Sequence, residues 1–435
     1  MSVSKQKFTL PFIIVSTLFF LWGFITVLVD SLIPRLKDVF ELSYFQAGLV
    51  QFAFFLAYLV LSIPAGALLS RIGYQRGIFV GLATMAIGCL LFYPAAGERL
   101  FSVFLLAYFM LAGGITILQV AANPYVAVLG DEGGASSRLN LAQAFNSLGT
   151  TLAPIVGAAY LLSDTIKNTQ EIEVLTEVER QSYYVSEAAA VQQPFLWLAG
   201  AIGLLAVFFL FVNLPKILKE VPERGYLTVL KNPKTVWGAI GIFLYVGAEV
   251  AIGSYLVNYF LDMNLVGTIR NSDFMNTIAS VFSVGDLQQI DGKAVVGSFV
   301  FLYWGGAMVG RFIGSLLTRL LLPSKVLAIF AVFAVMMIAV SMNTIGLVSM
   351  FAILSVGLFN SIMFPTIFTL TLEGQGDAKP QVSGLLCTAI FGGAVVPPLF
   401  GALVDGVGFK IAFILIVLCY GYIFVFSRRV IRMGA

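Results

Sequence analysis

The sequence predicts an all-α membrane protein with twelve transmembrane helices arranged as two six-helix pseudo-repeats. Three observations predict this fold. Hydrophobic residues make up 59% of the 435 residues and charged residues only 11%, which is more apolar surface than a water-soluble core can bury. Apolar segments of roughly 20 residues, the length that crosses a bilayer, recur along the whole chain. Short motifs of the first half also return in the second.

The predicted spans divide into two sets of six. The first set lies near residues 9–34, 44–69, 76–95, 101–128, 139–162 and 195–214. The second set lies near residues 236–261, 294–318, 325–343, 345–370, 382–404 and 410–427. A polar, proline-punctuated stretch separates them and is typical of a linker. We therefore expect an N-terminal bundle over 1–214, a cytoplasmic linker over 215–235 and a C-terminal bundle over 236–435.

The two halves resemble each other at the end of spans 2 and 8. Gly66-Ala-Leu-Leu-Ser-Arg71 returns 248 residues later as Gly314-Ser-Leu-Leu-Thr-Arg319. Prolines echo in the same order, Pro124 with Pro365 and Pro154 with Pro398. The echoes favour a parallel duplication, in which two bundles rock about a site in mid-membrane.

Basic residues in the loops predict the orientation. The loops on the side of the termini hold sixteen Lys and Arg residues, and the opposite loops hold eight. This bias places both termini in the cytoplasm of an inner membrane. The N-terminal apolar run reads as the first span, since no small-residue cleavage site closes it. The opposite, acidic loops, Ser163–Gln193 and Asp262–Lys293, read as solvated caps.

Composition excludes several classes of function. A net charge of +3 with no basic tract gives no sign of a nucleic-acid partner. The chain has no histidine, and its three cysteines lie in apolar segments, where packing is the ordinary role. We expect no enzyme activity, no cofactor and no metal cluster.

The two carboxylates inside spans are the candidates for cation coupling, because a charge near the bilayer centre costs about 2.5–3.5 kcal/mol on insertion scales. Asp30 follows Trp22 and Thr26 at intervals of four, so the three share one helical face. This stripe predicts contacts to a sugar and a cation, with Asp30 as a possible sodium ligand. The alternative is that Asp30 is hydrated at the outer end or pairs with Arg35.

Glu249 in span 7 repeats this relation with Tyr245. No basic residue lies nearby in sequence, so we expect Glu249 to face a cavity, accept a cation or hold a proton. The alternative is a protonated Glu249 hydrogen-bonded to a neighbouring helix.

Amide side chains in the spans predict a site for hydroxyl-rich ligands, because an amide donates and accepts at once. Spans 4 and 5 carry spaced pairs, and span 10 carries a single amide; the candidates are Gln119, Asn123, Gln143, Asn146 and Asn360. Asn258 is a weaker candidate. For each amide the alternative is interhelical packing.

Three arginines are candidate gating residues. Arg71 and Arg319 close the repeated corner motifs, and Arg311 is the basic residue inside a predicted span. We interpret Arg311 as a gate or packing charge rather than a ligand contact.

Several strings then resemble a known family. These are Phe20-Leu-Trp22-Gly with Asp30, Tyr44-Phe45-Gln46-Ala-Gly48-Leu, Ala121-Ala-Asn123-Pro124-Tyr125, and Arg138-Leu-Asn140-Leu-Ala-Gln143-Ala-Phe-Asn146-Ser-Leu-Gly149. Together they are similar to the fucose:proton symporter and glucose/galactose permease branch of the major facilitator superfamily. The resemblance implies a monomeric twelve-helix fold, alternating access, and a sugar held between the halves with Asp30, Gln143 and Asn146 among its contacts.

The chain departs from the fucose transporters of that family at two positions. They carry a protonatable Glu where this chain has Gln119, and an amide where it has Glu249. The string from Tyr245 to Tyr259 instead resembles the glucose/galactose members. Ser70 also replaces the usual acid of the superfamily's corner motif.

We therefore expect a symporter that imports a neutral hexose, glucose or galactose before fucose, coupled through Asp30 and Glu249 to a proton or to sodium. A passive sugar facilitator and an exporter of another small polar metabolite are the alternatives. Both would share the fold, but their transport would not depend on pH or sodium. A membrane enzyme would need a nucleophile, base or metal cluster, and a channel fits duplicated halves less well than a carrier does.

Overall fold

A computed structural model describes residues 8–30, 44–161, 174–216, 225–282 and 288–433. Within these ranges every regular element is helical. Eleven helical segments are long and apolar enough to cross a membrane. The helix of span 5, Ala135–Leu161, has 27 residues and carries the polar side chains of the Arg138–Asn146 string. The prediction of an all-α membrane protein with about twelve spans is confirmed.

The first six spans occupy five helices. They are Thr9–Asp30, Tyr44–Gly97, Phe101–Val128, Ala135–Leu161 and Glu177–Phe211. Tyr44–Gly97 contains spans 2 and 3, which separate at Gly73, where the backbone turns through φ 79° and ψ 168°. A positive φ costs glycine little because it has no Cβ.

The last six spans are more often interrupted. Their helices are Pro233–Asp262, Gly292–Gly297, Val300–Leu320, Pro323–Asn343, Gly346–Asn360, Met363–Leu372, Lys379–Thr388, Gly392–Val407 and Phe409–Met433. Span 10 breaks after Asn360, and span 11 passes through a 3₁₀ turn at Ala389–Phe391. Both breaks precede prolines, Pro365 and Pro397, which lack the N–H that would continue the ladder.

The predicted acidic caps contain helical structure. The helix of span 6 begins at Glu177, well before the predicted residue 195, because Thr176 and Glu179 form a reciprocal capping box. Leu265–Arg270 and Asp273–Phe282 are short helices within the second cap, and Tyr226–Leu230 is one within the linker. The spans are predicted from long runs of apolar residues, and short or polar helices do not contain such runs.

Contacts divide the chain into two compact units. Unit 1 comprises Met1–Gly130, Leu148–Val229 and Gln375–Thr388. Unit 2 comprises Asp131–Ser147, Leu230–Gly374 and Ala389–Ala435. Spans 5 and 11 are thus each divided between the units. The predicted bundles, 1–214 and 236–435, come from the repeat in the sequence and not from contacts. These boundaries stay a prediction.

Each unit has its own packed interior. In unit 1, Phe92 stacks on Phe195 with ring centroids 3.9 Å apart. In unit 2, the Tyr259 hydroxyl lies 2.7 Å from the Ser349 hydroxyl, within a buried cluster of several hydroxyl groups. Cys89, Cys387 and Cys419 are buried and free, as expected for cysteines that serve as small packing residues.

Candidate functional site

Glu249 lies in unit 2 beside a basic residue that is remote in sequence. Its Oε1 is 3.8 Å from Nη2 of Arg311, and both side chains are largely buried, with 13% and 14% of their surface exposed. The sequence close to Glu249 holds no basic residue, and the structure places one beside it from another span; the expected coupling role of Glu249 stays a prediction. Arg311 supplies the opposite charge from span 8, 62 positions away along the chain.

Hydroxyl and amide groups are hydrogen-bonded to Glu249 directly or through one another. Tyr245 donates its hydroxyl to Oε1 at 2.7 Å, one helical turn away. Tyr303 donates to the main-chain oxygen of Glu249 at 3.3 Å. Asn360 donates through Nδ2 to Tyr303 at 2.8 Å and to Tyr420 at 3.1 Å. We call Tyr245, Glu249, Tyr303, Arg311, Asn360 and Tyr420 the Glu249 cluster.

The guanidinium of Arg311 also binds main-chain oxygens freed or exposed by the local fold. Its Nε donates to the oxygen of Ser361 at 3.2 Å. Pro365 stands four residues after Ser361 and has no N–H to bond that oxygen. The break in span 10 thus creates the acceptor that Arg311 uses.

The first part of span 5 supplies the remaining hydrogen-bond partners of Arg311. Arg311 Nη1 donates to the main-chain oxygen of Gln143 at 3.4 Å and forms a short hydrogen bond with the Ser147 hydroxyl. Gln143 is buried, and Asn146 is partly buried. Arg311, predicted to be a gate or packing charge, is therefore held by residues of spans 5, 7 and 10 that lie in unit 2.

Spans 8 and 10 approach closely where the cluster forms. A Cβ on Gly310 would meet the main-chain oxygen of Leu358 and the side chain of Ser361, and one on Gly357 would meet the main chain of Tyr303. Only glycine permits this approach. The crossing brings Tyr303 within hydrogen-bond reach of Asn360.

One atom of the cluster has no partner within the described part of the chain. Asn360 has no exposed surface, and its Oδ1 accepts no hydrogen bond there. A buried acceptor of this kind ordinarily finds a donor. The cluster thus presents an amide oxygen that a ligand hydroxyl would satisfy.

The other predicted amides lie in unit 1. Gln119 donates through Nε2 to the hydroxyl of buried Tyr58 at 2.6 Å. Asn123, one turn further, has no exposed surface. The oxygen of Val120, freed because Pro124 has no N–H, accepts a hydrogen bond from Ser383 at 2.8 Å. The prolines that echo between spans 4 and 10 thus share a structural role.

The predicted stripe of span 1 is described in part. Trp22 is 6% exposed, and its ring packs against Phe19 with centroids 4.9 Å apart. Thr26 donates its hydroxyl to the main-chain oxygen of Trp22 at 2.8 Å. The helix ends at Asp30, whose side chain falls outside the described residues, as does Arg35. The assignment of Asp30 stays a prediction.

The remaining candidates occupy helix ends and surfaces. Arg71 and Arg319 are exposed near the ends of spans 2 and 8, and Asn258 is exposed on span 7. The gating roles of the two arginines stay predictions.

Sequence reasoning missed Tyr303, Tyr420, Ser147 and Tyr58. The signal was available, because a tyrosine hydroxyl in an apolar span needs a hydrogen-bond partner just as an amide does. Tyr303 and Arg311 stand eight residues apart, on nearly the same face of span 8. Counting hydroxyl groups along with carboxylates and amides would have found them.

Comparisons with known proteins agree with this architecture. The model of the Major Facilitator Superfamily matches residues 12–396. The chain is 45% identical over 423 residues to the glucose/galactose transporter of Brucella abortus biovar 1, covering 97% of this chain and 94% of that protein. It is 31% identical over 438 residues to the L-fucose-proton symporter of Escherichia coli, covering 98% and 94%.

A solved structure gives the same fold. The crystal structure of a variant of the Escherichia coli fucose:proton symporter matches with a TM-score of 0.84 and 29% identity, covering 98% of this chain and 99% of that one. The resemblance read from the span 1, 2, 4 and 5 strings is confirmed, and so is the expectation of a transporter rather than an enzyme. The chain belongs to the Major Facilitator Superfamily and is a multi-pass membrane transporter.

Proposed function

We propose that this transporter imports a neutral hexose, glucose or galactose, by symport with a proton or sodium. The observation that carries the proposal is the Glu249–Arg311 pair within spans 7 and 8, to which hydroxyl and amide groups are linked by hydrogen bonds. Charges at such depth are costly and mark ion or substrate pathways. The sugar class is supported by the relatives, a glucose/galactose transporter and an L-fucose-proton symporter.

The distance between Glu249 and Arg311 leaves the Glu249 carboxylate able to bind a ligand. At 3.8 Å, the contact is longer than the 2.7–2.9 Å typical of a charge-assisted hydrogen bond. Arg311 therefore offsets the charge of Glu249 without taking Oε1 in a direct hydrogen bond. We infer that Glu249 accepts a sugar hydroxyl or assists the cation, and that the Oδ1 of Asn360 accepts a further donor.

Asp30 is the proposed principal coupling group. Arg311 already offsets Glu249, whereas a bare carboxylate at Asp30 would oppose closure of an empty carrier. Binding a proton or sodium there would remove this cost and let the loaded carrier rock. Gln119, Asn123, Gln143 and Asn146 are the proposed partners of further sugar hydroxyls, beside Trp22, Thr26 and Tyr245. The protein is proposed to act as a monomer in a bacterial inner membrane, with both termini in the cytoplasm.

The test is radiolabelled hexose uptake into proteoliposomes, with pH and sodium gradients imposed separately. We expect one of the two gradients to drive accumulation. Asp30→Asn should abolish accumulation and retain hexose exchange, because exchange needs no net movement of the empty carrier. Accumulation by Asp30→Asn would overturn the role of Asp30, and uptake indifferent to both gradients would identify a passive facilitator.

A further inference from the structure

A cleft of about 350 Å³ opens in unit 1 at the predicted cytoplasmic ends of spans 2, 3 and 6. The residues that matter for its chemistry are Tyr74, Arg76, Tyr125, Leu210, Asn213 and Lys216. We call it the span 2–3–6 cleft. It takes no part in the Glu249 cluster, all of whose residues lie in unit 2.

Hydrogen bonds hold the walls of this cleft. Gln75 donates through Nε2 to the main-chain oxygens of Phe209 and Val212, at 2.9 and 2.7 Å. Tyr125 donates its hydroxyl to the oxygen of Pro215 at 3.3 Å. These bonds satisfy carbonyls at the end of span 6 and fix the following segment against the turn at Gly73. The shape of the cleft is therefore fixed by hydrogen bonds within unit 1.

The charge of the cleft is positive. Arg76 and Lys216 line it and are exposed, and neither forms an ion pair with another described residue. None of the residues that line it is acidic. Two cations at one opening favour an anionic ligand, and a phosphate group accepts hydrogen bonds from both types of side chain.

A buried hydroxyl in the wall gives a second, independent indication. Tyr74 is 4% exposed, and its hydroxyl has no hydrogen-bond partner among the described residues. A buried polar group of this kind needs an explanation. Tyr74 lines the cleft, so a small rotation of its ring would let the hydroxyl donate to a phosphate oxygen bound there.

Beside the cleft lies an apolar stripe that suits an acyl chain. Leu204, Phe208 and Phe211 of span 6 are 75%, 48% and 78% exposed, and their spacing of four and three places them along one helical face. Leu210, which is 46% exposed, lines the cleft itself. The exposed stripe and the cleft therefore lie at the same end of span 6, where Leu210 and Phe211 are adjacent in sequence.

We propose that the span 2–3–6 cleft binds the head-group phosphate of an anionic phospholipid of the cytoplasmic leaflet, through Arg76, Lys216 and Tyr74. The acyl chains lie along Leu204, Phe208 and Phe211. Basic pockets between membrane helices on this side of a bilayer are typical head-group sites. The exposed apolar side chains of span 6 beside the cleft favour a lipid over a soluble phosphate compound.

Titration of the purified protein in micelles, read by native mass spectrometry, tests the proposal. Phosphatidylglycerol should bind, and phosphatidylcholine should bind more weakly at equal concentration. Arg76→Gln/Lys216→Gln should weaken phosphatidylglycerol binding by at least about tenfold, since each basic residue near an anionic lipid contributes on the order of 1 kcal/mol. Tyr74→Phe keeps the charge and should weaken it by a smaller factor.

The matched control is Lys325→Gln/Arg428→Gln, which removes the same charge from exposed residues on the same predicted side and should leave binding unchanged. Equal loss in both double variants, or no loss in either, would overturn the site. Binding of glycerol 3-phosphate at the concentration at which the lipid binds would overturn the lipid as occupant and assign the cleft to a soluble phosphate ester.

Discussion

Arg311 and Glu249 each place a charge in an apolar span, and each makes the other tolerable. Removing one partner of a buried pair leaves an uncompensated charge, whereas removing both leaves none. Arg311 has further bonds to Ser361, Gln143 and Ser147, so its role is also structural. The stability of the protein is thus expected to depend on this pair of residues, and we propose that transport depends on it as well.

We expect Glu249→Gln and Arg311→Gln each to destabilise the protein by about 3–5 kcal/mol. The double variant should lose less than the sum of the two, because neither charge is then left alone. Thermal unfolding of the purified proteins in one detergent measures the three shifts. Strictly additive shifts would show that the two charges do not interact.

The hydroxyl of Tyr245 is a second residue-level test. Tyr245→Phe keeps the buried ring and removes the hydrogen bond to Glu249, which should cost roughly 1.5–3 kcal/mol, the range for a bond to a charged group. The control is Tyr255→Phe on the same helix, whose ring packs against Phe400 and whose hydroxyl forms no hydrogen bond with another described residue. We expect melting temperature and gradient-driven hexose uptake to fall in Tyr245→Phe alone; equal behaviour of the two variants would contradict the role.

At the scale of elements, glycine and proline decide which helices meet and which carbonyls are free. Pro124 and Pro365 free the oxygens of Val120 and Ser361, and each oxygen accepts a hydrogen bond from a side chain of another helix. These bonds replace ladder bonds that proline cannot make. The prolines that recur in the two halves therefore have the same structural role: each leaves a main-chain oxygen free to bond a side chain of another helix.

Gly310 tests the crossing of spans 8 and 10. Gly310→Ala places a Cβ against the main-chain oxygen of Leu358, and we expect a loss of about 1–3 kcal/mol from overpacking. Gly305→Ala on the same helix meets only the side chain of Phe301 at 3.6 Å, so it should be neutral or stabilising. Melting temperatures that fall equally in both variants would refute the close crossing as the cause.

At the scale of the whole molecule, the two units do not correspond to the first and second halves of the chain, because spans 5 and 11 are each divided between the units. Asp131–Ser147 brings Gln143 and Ser147 to Arg311 in unit 2, and Gln375–Thr388 brings Ser383 to Val120 in unit 1. The polar residues of the span 5 string from Arg138 to Ser147 therefore lie in unit 2, although the string belongs to the first half of the sequence. Assigning site residues to halves by chain order alone misses this.

The predicted orientation of the molecule in its membrane rests on the sixteen-to-eight distribution of basic residues. Cysteine introduced at Lys410 should react with a membrane-impermeant maleimide added to intact cells, whereas cysteine at Lys231 should react only after permeabilisation. The three native cysteines are buried, so background labelling should be low. The opposite pattern would invert the predicted topology.

The sequence by itself determined the number and type of spans, because burial in lipid requires long apolar helices whatever their neighbours are. It also identified Glu249, Tyr245, Asn360 and Gln143 as polar residues in costly positions. Only the tertiary structure decided that Arg311 neutralises Glu249, that Tyr303 bridges Glu249 to Asn360, and that Gln119 binds Tyr58. Such partners lie on different helices, and their pairing depends on helix crossings set by small residues and proline breaks, which local periodicity does not encode.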